Sequence, residues 1–438
     1  MSSFDLVALL LLLAALAGFL NHRWLRMPRS IGLLVIALAL SAAIMVADHI
    51  TGAVGVRRWL SRVLIVADLP YVLFNGALGF LLFAGALHLD LRALRNHAWT
   101  VFALATVGVL LATILYGGAI WQVFRLAGLS VPFAWCVVLG AILAPTDPIA
   151  VSGLLREAGL PPGLLAVITG ESLFNDGIAV VVFTVALGVA SGATDSDTVT
   201  AGRIIEAFVR EGLGGALLGL CTGYAAFRAM RLIDEYNLEL TISLALVTVT
   251  YAAAIRIGVS GPIAVVVAGL LIGNHATRHA MSETTRTNVT LFWSLIDQLL
   301  NALLFLLIGF EVLTIDTRHF WPAVMGAGVV LAVLVRFVSA SIPAVALNLR
   351  RLHHLRNLTV LTWGGLRGGI SVALALALPR GPYRDLLLQV VYAVAVFTIV
   401  VQGLTMPRLL RWLFGNELHD SRAALPAVSS EQGSQSVG

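Results

Sequence analysis

The residues most able to do chemistry lie in a short polar stretch inside an apolar segment. Residues 170–177 read Gly-Glu-Ser-Leu-Phe-Asn-Asp-Gly and run directly into the apolar sequence Ile-Ala-Val-Val-Val-Phe. A charged side chain at membrane depth costs at least about 2.5–3.5 kcal/mol, so such residues usually mark an ion or proton pathway. The stretch therefore predicts the working centre of an ion transporter.

Asp176 is the predicted ion-binding carboxylate. On a helix, Ser172 and Asp176 lie four residues apart and share a face, as do Glu171 and Asn175. A small hard cation binds several oxygen ligands, and Asp176, Ser172, Thr146 and nearby backbone carbonyls would supply them. One carboxylate that binds either a proton or a cation exchanges the two, because each occupant excludes the other. The alternative is a buried aspartate that only stabilises packing.

The composition is that of an integral membrane protein. The chain has 438 residues, of which 59% are hydrophobic and 12% charged, whereas soluble domains carry about 25% charged residues. The chain contains no lysine, and its arginines cluster in short loops, which indicates topology and not a nucleic-acid surface. Cys136 and Cys221 lie far apart in apolar segments, so neither a disulfide nor a metal site is expected. The first apolar segment lacks signal-peptide features and is expected to be a retained helix.

Apolar runs separated by turn residues and charges predict about thirteen membrane-spanning helices. Their approximate limits are 5–20, 31–48, 69–89, 98–124, 132–157, 163–190, 203–230, 236–256, 260–273, 289–313, 319–349, 356–378 and 383–412. Residues 415–438 are polar and serine-rich, which predicts a short disordered tail. The sequence thus predicts an all-α polytopic protein.

The distribution of arginines predicts the orientation of the chain in the cell membrane. Arginine clusters follow the first, third, seventh and eleventh spans, which fall on one side if every span crosses once. The positive-inside rule then places the N-terminus outside and the C-terminus in the cytoplasm. The cluster Arg57, Arg58 and Arg62 falls on the opposite side, where we expect an interfacial helix.

Two spans contain helix-breaking sequences. The fifth carries Ala-Pro-Thr-Asp-Pro at 144–148, and the twelfth carries Trp-Gly-Gly-Leu-Arg-Gly-Gly at 363–369. Proline and paired glycines interrupt helices, and a broken span in each half of a transporter indicates its binding site and inverted repeats. Asp147 before Pro148 is typical of a helix N-cap, but at such a break it is equally suited to bind the ion. Both interpretations remain open.

The remaining intramembrane polar residues need partners. Arg367 keeps its proton, and Glu171 is its predicted partner in a structural pair that positions the site. Removing one member of a buried pair costs about 3–5 kcal/mol. Arg336 in the eleventh span has no assigned role; it would snorkel or pair with a backbone break. Asp297 and Asn301 share a face of the tenth span and would line the pathway or, as we expect, pack at a helix interface.

Other classes of function have weaker support in the sequence. Ser371 lacks the following glycine and the histidine partner expected of a membrane serine protease, so we expect no enzymatic activity. The absence of a phosphate-cradling loop argues against ATP-driven pumping, and no cofactor is predicted. A symporter would need a larger pocket for an organic substrate, a channel would need a continuous pore, and a sensor would need a signalling domain.

The motifs at 144–148, 170–177 and 363–369 resemble those of the NhaP/NHE branch of the monovalent cation:proton antiporters. The resemblance implies a thirteen-helix fold with inverted repeats, a homodimer, and electroneutral exchange of one cation for one proton. It implies that Asp176, Thr146 and Ser172 bind the cation, that Asn175 and Asp176 form the family's Asn-Asp pair, and that Glu171 and Arg367 form its buried ion pair.

The resemblance also implies a division into domains. The antiporter domain would span 1–414, with core helices at about 98–190 and 319–412 and dimerisation helices at about 5–89 and 203–313. Many members of the family carry an acidic residue in the third span where this chain has Ala84. Sodium/proton exchange is the leading prediction; potassium/proton exchange is the alternative that the loss of this acid would favour.

Overall fold

The structure, a computed structural model, describes residues 3–51, 76–147, 155, 160, 162–192, 201–276, 281–313, 321–346 and 355–423. All regular elements in these ranges are helices. In chain order they are α1 (Ser3–Leu20), α2 (Arg29–Thr51), α3 (Leu78–Leu87), α4 (Leu91–Arg95), α5 (Ala98–Leu126), α6 (Phe133–Leu143), α7 (Pro162–Ala190), α8 (Ala201–Met230), α9 (Tyr236–Ile257), α10 (Gly261–Leu271), α11 (Glu283–Glu311), α12 (Pro322–Ala346), α13 (Leu355–Trp363), α14 (Gly369–Leu376), α15 (Arg384–Val396) and α16 (Gly403–Ala423).

The helices confirm the predicted all-α polytopic fold. In the described ranges, eight helices are long and apolar enough to cross a membrane, and three shorter apolar helices accompany them. Every predicted span contains helix within the described residues. A π-helical segment, Phe397–Gln402, connects α15 to α16 without interrupting the span. The interfacial helix predicted around residues 57–62 lies outside the described residues.

The predicted tail requires a correction. α16 continues to Ala423, so the first part of the segment expected to be disordered from residue 415 is helical. Residues 415–423 contain one glycine and no proline, and backbone propensity therefore allows the helix to continue. Residues 424–438 lie outside the described part of the chain.

Both predicted helix breaks are present. α6 ends at Leu143 and is followed by non-helical residues through Asp147. α13 ends at Trp363, and five residues, 364–368, separate it from α14, which begins at Gly369. The helix expected to follow Asp147 falls on residues outside the described ranges, so the predicted N-cap at Asp147 is not tested.

Two groups of helices surround the breaks. α6 packs against α5 and α7, and α12 packs against α5 and α15. Close approach of α5 and α6 depends on Gly140, because a Cβ atom there would lie 2.2 Å from the Thr113 carbonyl oxygen. A second group contains α3, α10 and α11, where the rings of Phe83 and Trp293 lie 4.6 Å apart. The division into a core and a dimerisation domain remains a prediction.

Candidate functional site

The two interrupted spans contact each other directly at their breaks. The backbone amide of Asp147 donates a hydrogen bond of 2.8 Å to the Leu366 carbonyl. A Cβ atom on Gly368 would lie 2.0 Å from Asp147 Oδ2, so this crossing requires a residue without a side chain. Unwound backbone inside a membrane protein must find partners in protein or water, and here each break supplies a partner to the other.

Arg367 donates hydrogen bonds to the backbone at the break in the fifth span. Its guanidinium is buried, and Nη1 donates to the carbonyl oxygens of Ala144 and Pro145, both at 2.8 Å. These carbonyls follow the last residue of α6, and carbonyl groups at the end of a helix have no backbone N–H of the same helix to bind. The Arg367 backbone amide donates to Thr398 Oγ1 at 3.1 Å. The arginine therefore stabilises the end of one interrupted helix from the break of the other.

The predicted partner of Glu171 is wrong. Glu171 pairs with Arg336 of α12, whose Nη1 and Nη2 donate to Oε1 at 2.7 Å and Oε2 at 2.6 Å. This two-point geometry matches the planar guanidinium to the carboxylate, whereas Arg367 directs its Nη1 donor to the carbonyls of the break. The sequence contained an indication of the correct pair. Arg336 is the one charged residue of α12, and a charged side chain inside a membrane needs a counterion.

Asn175 links the ion pair to the break. Its Nδ2 donates to Thr146 Oγ1 at 2.8 Å and to Glu171 Oε1 at 3.2 Å. One turn earlier on α7, the Ser172 hydroxyl donates to the Thr146 backbone carbonyl. Three of the predicted residues on α7 therefore lie within one hydrogen-bond network that includes Thr146.

Asp176 lies beside this network on the wall of a cavity of about 80 Å³. Its side chain is only 8% exposed, and Oδ1 is buried without a hydrogen-bond partner. Asp147, Thr169 and Ser172 line the same cavity. One water occupies about 30 Å³ of liquid volume, so the space accommodates a small cation with part of its hydration shell. A buried carboxylate oxygen without a donor is suited to receive a proton or a cation.

Residues of α3 and α11 also line the cavity. Leu81, Leu82 and Gly85 of α3 contribute apolar surface, and Ala84 is fully buried next to Gly85. Asn301 of α11 also lines the cavity, which helix-interface packing alone would not require. The expectation that Asn301 packs at a helix interface is not tested, and its place on the cavity wall supports the alternative that it lines the pathway.

The structure thus brings Asp147, Asp176, Thr146, Ser172 and Asn175 together at the crossing, with Glu171 and Arg367 beside them. Their assignment to cation binding remains a prediction. The Thr146 backbone carbonyl accepts a hydrogen bond from Ser172, which lines the cavity, and the Thr146 hydroxyl accepts one from Asn175.

Comparisons with known proteins agree with the fold and the motifs. Residues 9–412 match the family described as sodium/hydrogen exchanger, transmembrane. The chain is 44% identical over 429 residues to the Na(+)/H(+) antiporter NhaP of Pseudomonas aeruginosa, covering 96% of this chain and 99% of that protein. It is 36% identical to the Na(+)/H(+) antiporter NhaH of Halobacillus dabanensis, covering 77% of this chain and 81% of that protein.

A solved structure has the same fold. The sodium proton antiporter MjNhaP1 from Methanocaldococcus jannaschii at pH 8 superposes with a TM-score of 0.75 at 19% identity, covering 94% of this chain and 99% of that chain. The prediction of an antiporter of this class, and not an enzyme, is therefore confirmed, and the chain belongs to the sodium/hydrogen exchanger family of membrane transporters.

Proposed function

We propose that this chain exchanges one sodium ion for one proton across the cell membrane, and that both bind in turn at Asp176. The observation that carries the proposal is the buried Oδ1 of Asp176, which has no hydrogen-bond partner and belongs to a carboxylate on the cavity wall. A proton on this carboxylate removes the charge that attracts the cation, and a bound cation repels the proton. Mutual exclusion at one carboxylate couples the two fluxes.

The oxygen atoms around Asp176 suit a small monovalent cation. Ser172 uses its hydroxyl hydrogen on the Thr146 carbonyl, so the lone pairs of its Oγ are left for a cation. Asp147 provides a second carboxylate on the cavity wall. Thr146 and Asn175 hold Ser172 and the break in place through their hydrogen bonds. Carboxylate and hydroxyl oxygens with water are the ligands that hard cations prefer; no cofactor is needed.

The charges at the crossing support an exchange ratio of one to one. The described residues place three carboxylates there, Asp147, Glu171 and Asp176, and two guanidinium groups, Arg336 and Arg367. Two positive and three negative charges leave one uncompensated negative charge. A single sodium ion or a single proton neutralises it, so both loaded states carry the same net charge across the low-dielectric interior. Burying net charge is costly, which favours movement of the loaded states.

We further propose that exchange proceeds by alternating access. The group containing α6, α7 and the two breaks would move as the core against the group containing α3 and α11, with the cavity between them. We also propose a homodimer with dimerisation helices at about 5–89 and 203–313, as the resemblance implies, and a cytoplasmic C-terminus, which the arginine distribution favours.

The reaction is tested in proteoliposomes that carry a preset pH gradient and a pH-sensitive dye. Sodium, lithium and potassium salts are added in turn, and the membrane potential is clamped with valinomycin and potassium in a parallel series with sodium and lithium. We expect sodium and lithium to dissipate the gradient at rates that do not depend on the clamp.

Other results would contradict the cation selectivity, the exchange ratio or the exchange activity itself. A response to potassium at the same concentrations would replace sodium/proton exchange by potassium/proton or non-selective exchange. Rates that depend on the clamped potential would contradict the one-to-one ratio. No response to any of the three cations would contradict exchange and return the symporter as the leading alternative.

A further inference from the structure

Asn301 is the polar contribution of the α3–α11 wall to the cavity. The wall residues from these two helices are Leu81, Leu82, Gly85, Asn301 and Leu304, and only the asparagine has an oxygen atom in its side chain. Its side chain is 5% exposed. A buried amide costs free energy unless its polar atoms have partners, so its place on an otherwise apolar wall calls for a reason.

Asp297 fixes the orientation of the Asn301 amide. Asn301 Nδ2 donates to the Asp297 backbone carbonyl at 2.9 Å and to the Asp297 carboxylate Oδ1 at 3.0 Å. An amide nitrogen has two hydrogens, and these two bonds use both. A flipped amide would place Oδ1 against two acceptor oxygens, which would repel it. Asn301 Oδ1 is consequently the polar atom that remains for the cavity.

α11 lies directly against the break in the twelfth span. Leu304 lies one turn after Asn301 and also lines the cavity. It packs closely on Gly369, since a Cβ atom there would lie 2.1 Å from Leu304 Cδ2. Asn301 and Asp176 therefore line one cavity of about 80 Å³ from two different groups of helices. A partly hydrated cation in a cavity of this size can contact both side chains.

We propose that Asn301 Oδ1 is an oxygen ligand of the transported cation and that Asp297 is the positioning residue that keeps this oxygen turned toward the cavity. The inference rests on the proposed function, since it assigns a further ligand to the same cation. It places one ligand on a different group of helices from the one that carries Asp176. When the two groups move apart, the cation loses this ligand, which promotes its release on the other side of the membrane.

The test measures KM and maximal rate for sodium in proteoliposomes with four single variants and one double variant. Asn301→Leu keeps the branched shape of the side chain but removes both of its polar atoms. Asp297→Ala removes the side-chain acceptor of the amide and leaves the backbone carbonyl, whereas Asp297→Asn retains a side-chain acceptor. Gln298→Ala is the matched control, because it removes an amide from an exposed position of the same helix.

We expect Asn301→Leu to raise KM roughly tenfold or more, as loss of one polar contact to a charged group does, with a smaller change in maximal rate. Asp297→Asn should stay within about threefold of the wild-type KM, and Asp297→Ala should approach Asn301→Leu. The double variant Asp297→Ala/Asn301→Leu should be no worse than Asn301→Leu alone, because residues that act through one another are not additive.

A second readout does not depend on transport. Ligands that bind the folded state raise its melting temperature, so sodium should stabilise the detergent-solubilised wild type more than Asn301→Leu. The melting temperatures without sodium report whether each variant folds.

The outcomes separate this inference from the proposed function. A wild type that exchanges sodium, together with a wild-type KM in Asn301→Leu, would overturn the ligand role of Asn301 alone. An elevated KM in Asp297→Asn equal to that in Asp297→Ala would overturn the positioning role, because charge and not acceptor geometry would then matter. A wild type without exchange would overturn the proposed function.

Discussion

The backbone amide of Asp147 and the carbonyl of Leu366 form a hydrogen bond of 2.8 Å that joins the two interrupted spans at the site. Arg367 reinforces this contact from the residue next to Leu366, through the carbonyls of Ala144 and Pro145. The two breaks therefore form one structural unit, and displacement of one break must carry the other. The candidate ion ligands on α7 are attached to the same unit through Thr146.

Gly368→Ala should disrupt this unit. The added Cβ atom would lie 2.0 Å from Asp147 Oδ2, and overpacking of a tight contact typically costs about 1–3 kcal/mol. We expect a lower melting temperature in detergent and loss of most sodium/proton exchange. Gly381→Ala is the control, because a Cβ atom there meets nothing within 4 Å. Equal behaviour of the two variants would show that the crossing tolerates a side chain.

Replacing the ion pair as a unit should rescue folding. Glu171→Leu or Arg336→Met alone leaves one buried charge without its partner, which costs about 3–5 kcal/mol. The double variant Glu171→Leu/Arg336→Met removes both charges, so we expect thermal unfolding close to that of the wild type. The matched double variant Glu171→Leu/Arg367→Met should remain as unstable as the single ones, since Arg336 would still be unpaired. Rescue by Arg367→Met would instead support the pair expected from the sequence.

Asn175→Asp should destabilise the protein more than Asn175→Ala does. The substitution replaces the donor at Nδ2 with a carboxylate oxygen 3.2 Å from Glu171 Oε1, so two acceptors face each other in a buried site. Leaving buried polar groups unsatisfied costs about 1–3 kcal/mol, and more for charged groups. The measurement is thermal unfolding in detergent, with the exposed Asn96→Asp as the control. A melting temperature equal to that of Asn96→Asp would contradict the bridging role of Asn175.

Competition at Asp176 predicts a simple dependence of sodium affinity on pH. When the carboxylate is mostly protonated, one proton must leave for each sodium ion that binds, so the apparent KM should rise about tenfold for each unit that the pH falls. At higher pH, where the carboxylate is free, the KM should become constant. Initial rates over a series of sodium concentrations at each pH measure this slope. A slope of two decades per unit would indicate two protons per cation.

The sequence was sufficient to predict the all-α polytopic fold, both breaks and the polar residues of α7. Long apolar runs and helix breakers act locally, so their consequences can be inferred from the chain alone. Intramembrane charges also indicated correctly that Glu171 and Arg367 lie in the interior.

The partners of these charges could not be inferred in the same way. Glu171 had two arginine candidates, and the choice depends on which helix packs against α7, a property of the tertiary arrangement. Arg367 proved to satisfy the carbonyls at Ala144 and Pro145, whose need for a donor becomes visible only when the end of α6 is known. The place of Asn301 on the cavity wall likewise depends on the packing of α11 against the second break.

The central claim is that Asp176 alone is the carboxylate at which sodium and proton exchange, although Asp147 lines the same cavity. The most direct measurement is sodium-driven proton movement in proteoliposomes that contain Asp176→Asn or Asp147→Asn, at matched protein content and with melting temperatures near that of the wild type. We predict no exchange from Asp176→Asn at any sodium concentration, and exchange with a raised KM from Asp147→Asn. Persistent exchange in folded Asp176→Asn, with none in Asp147→Asn, would contradict the account.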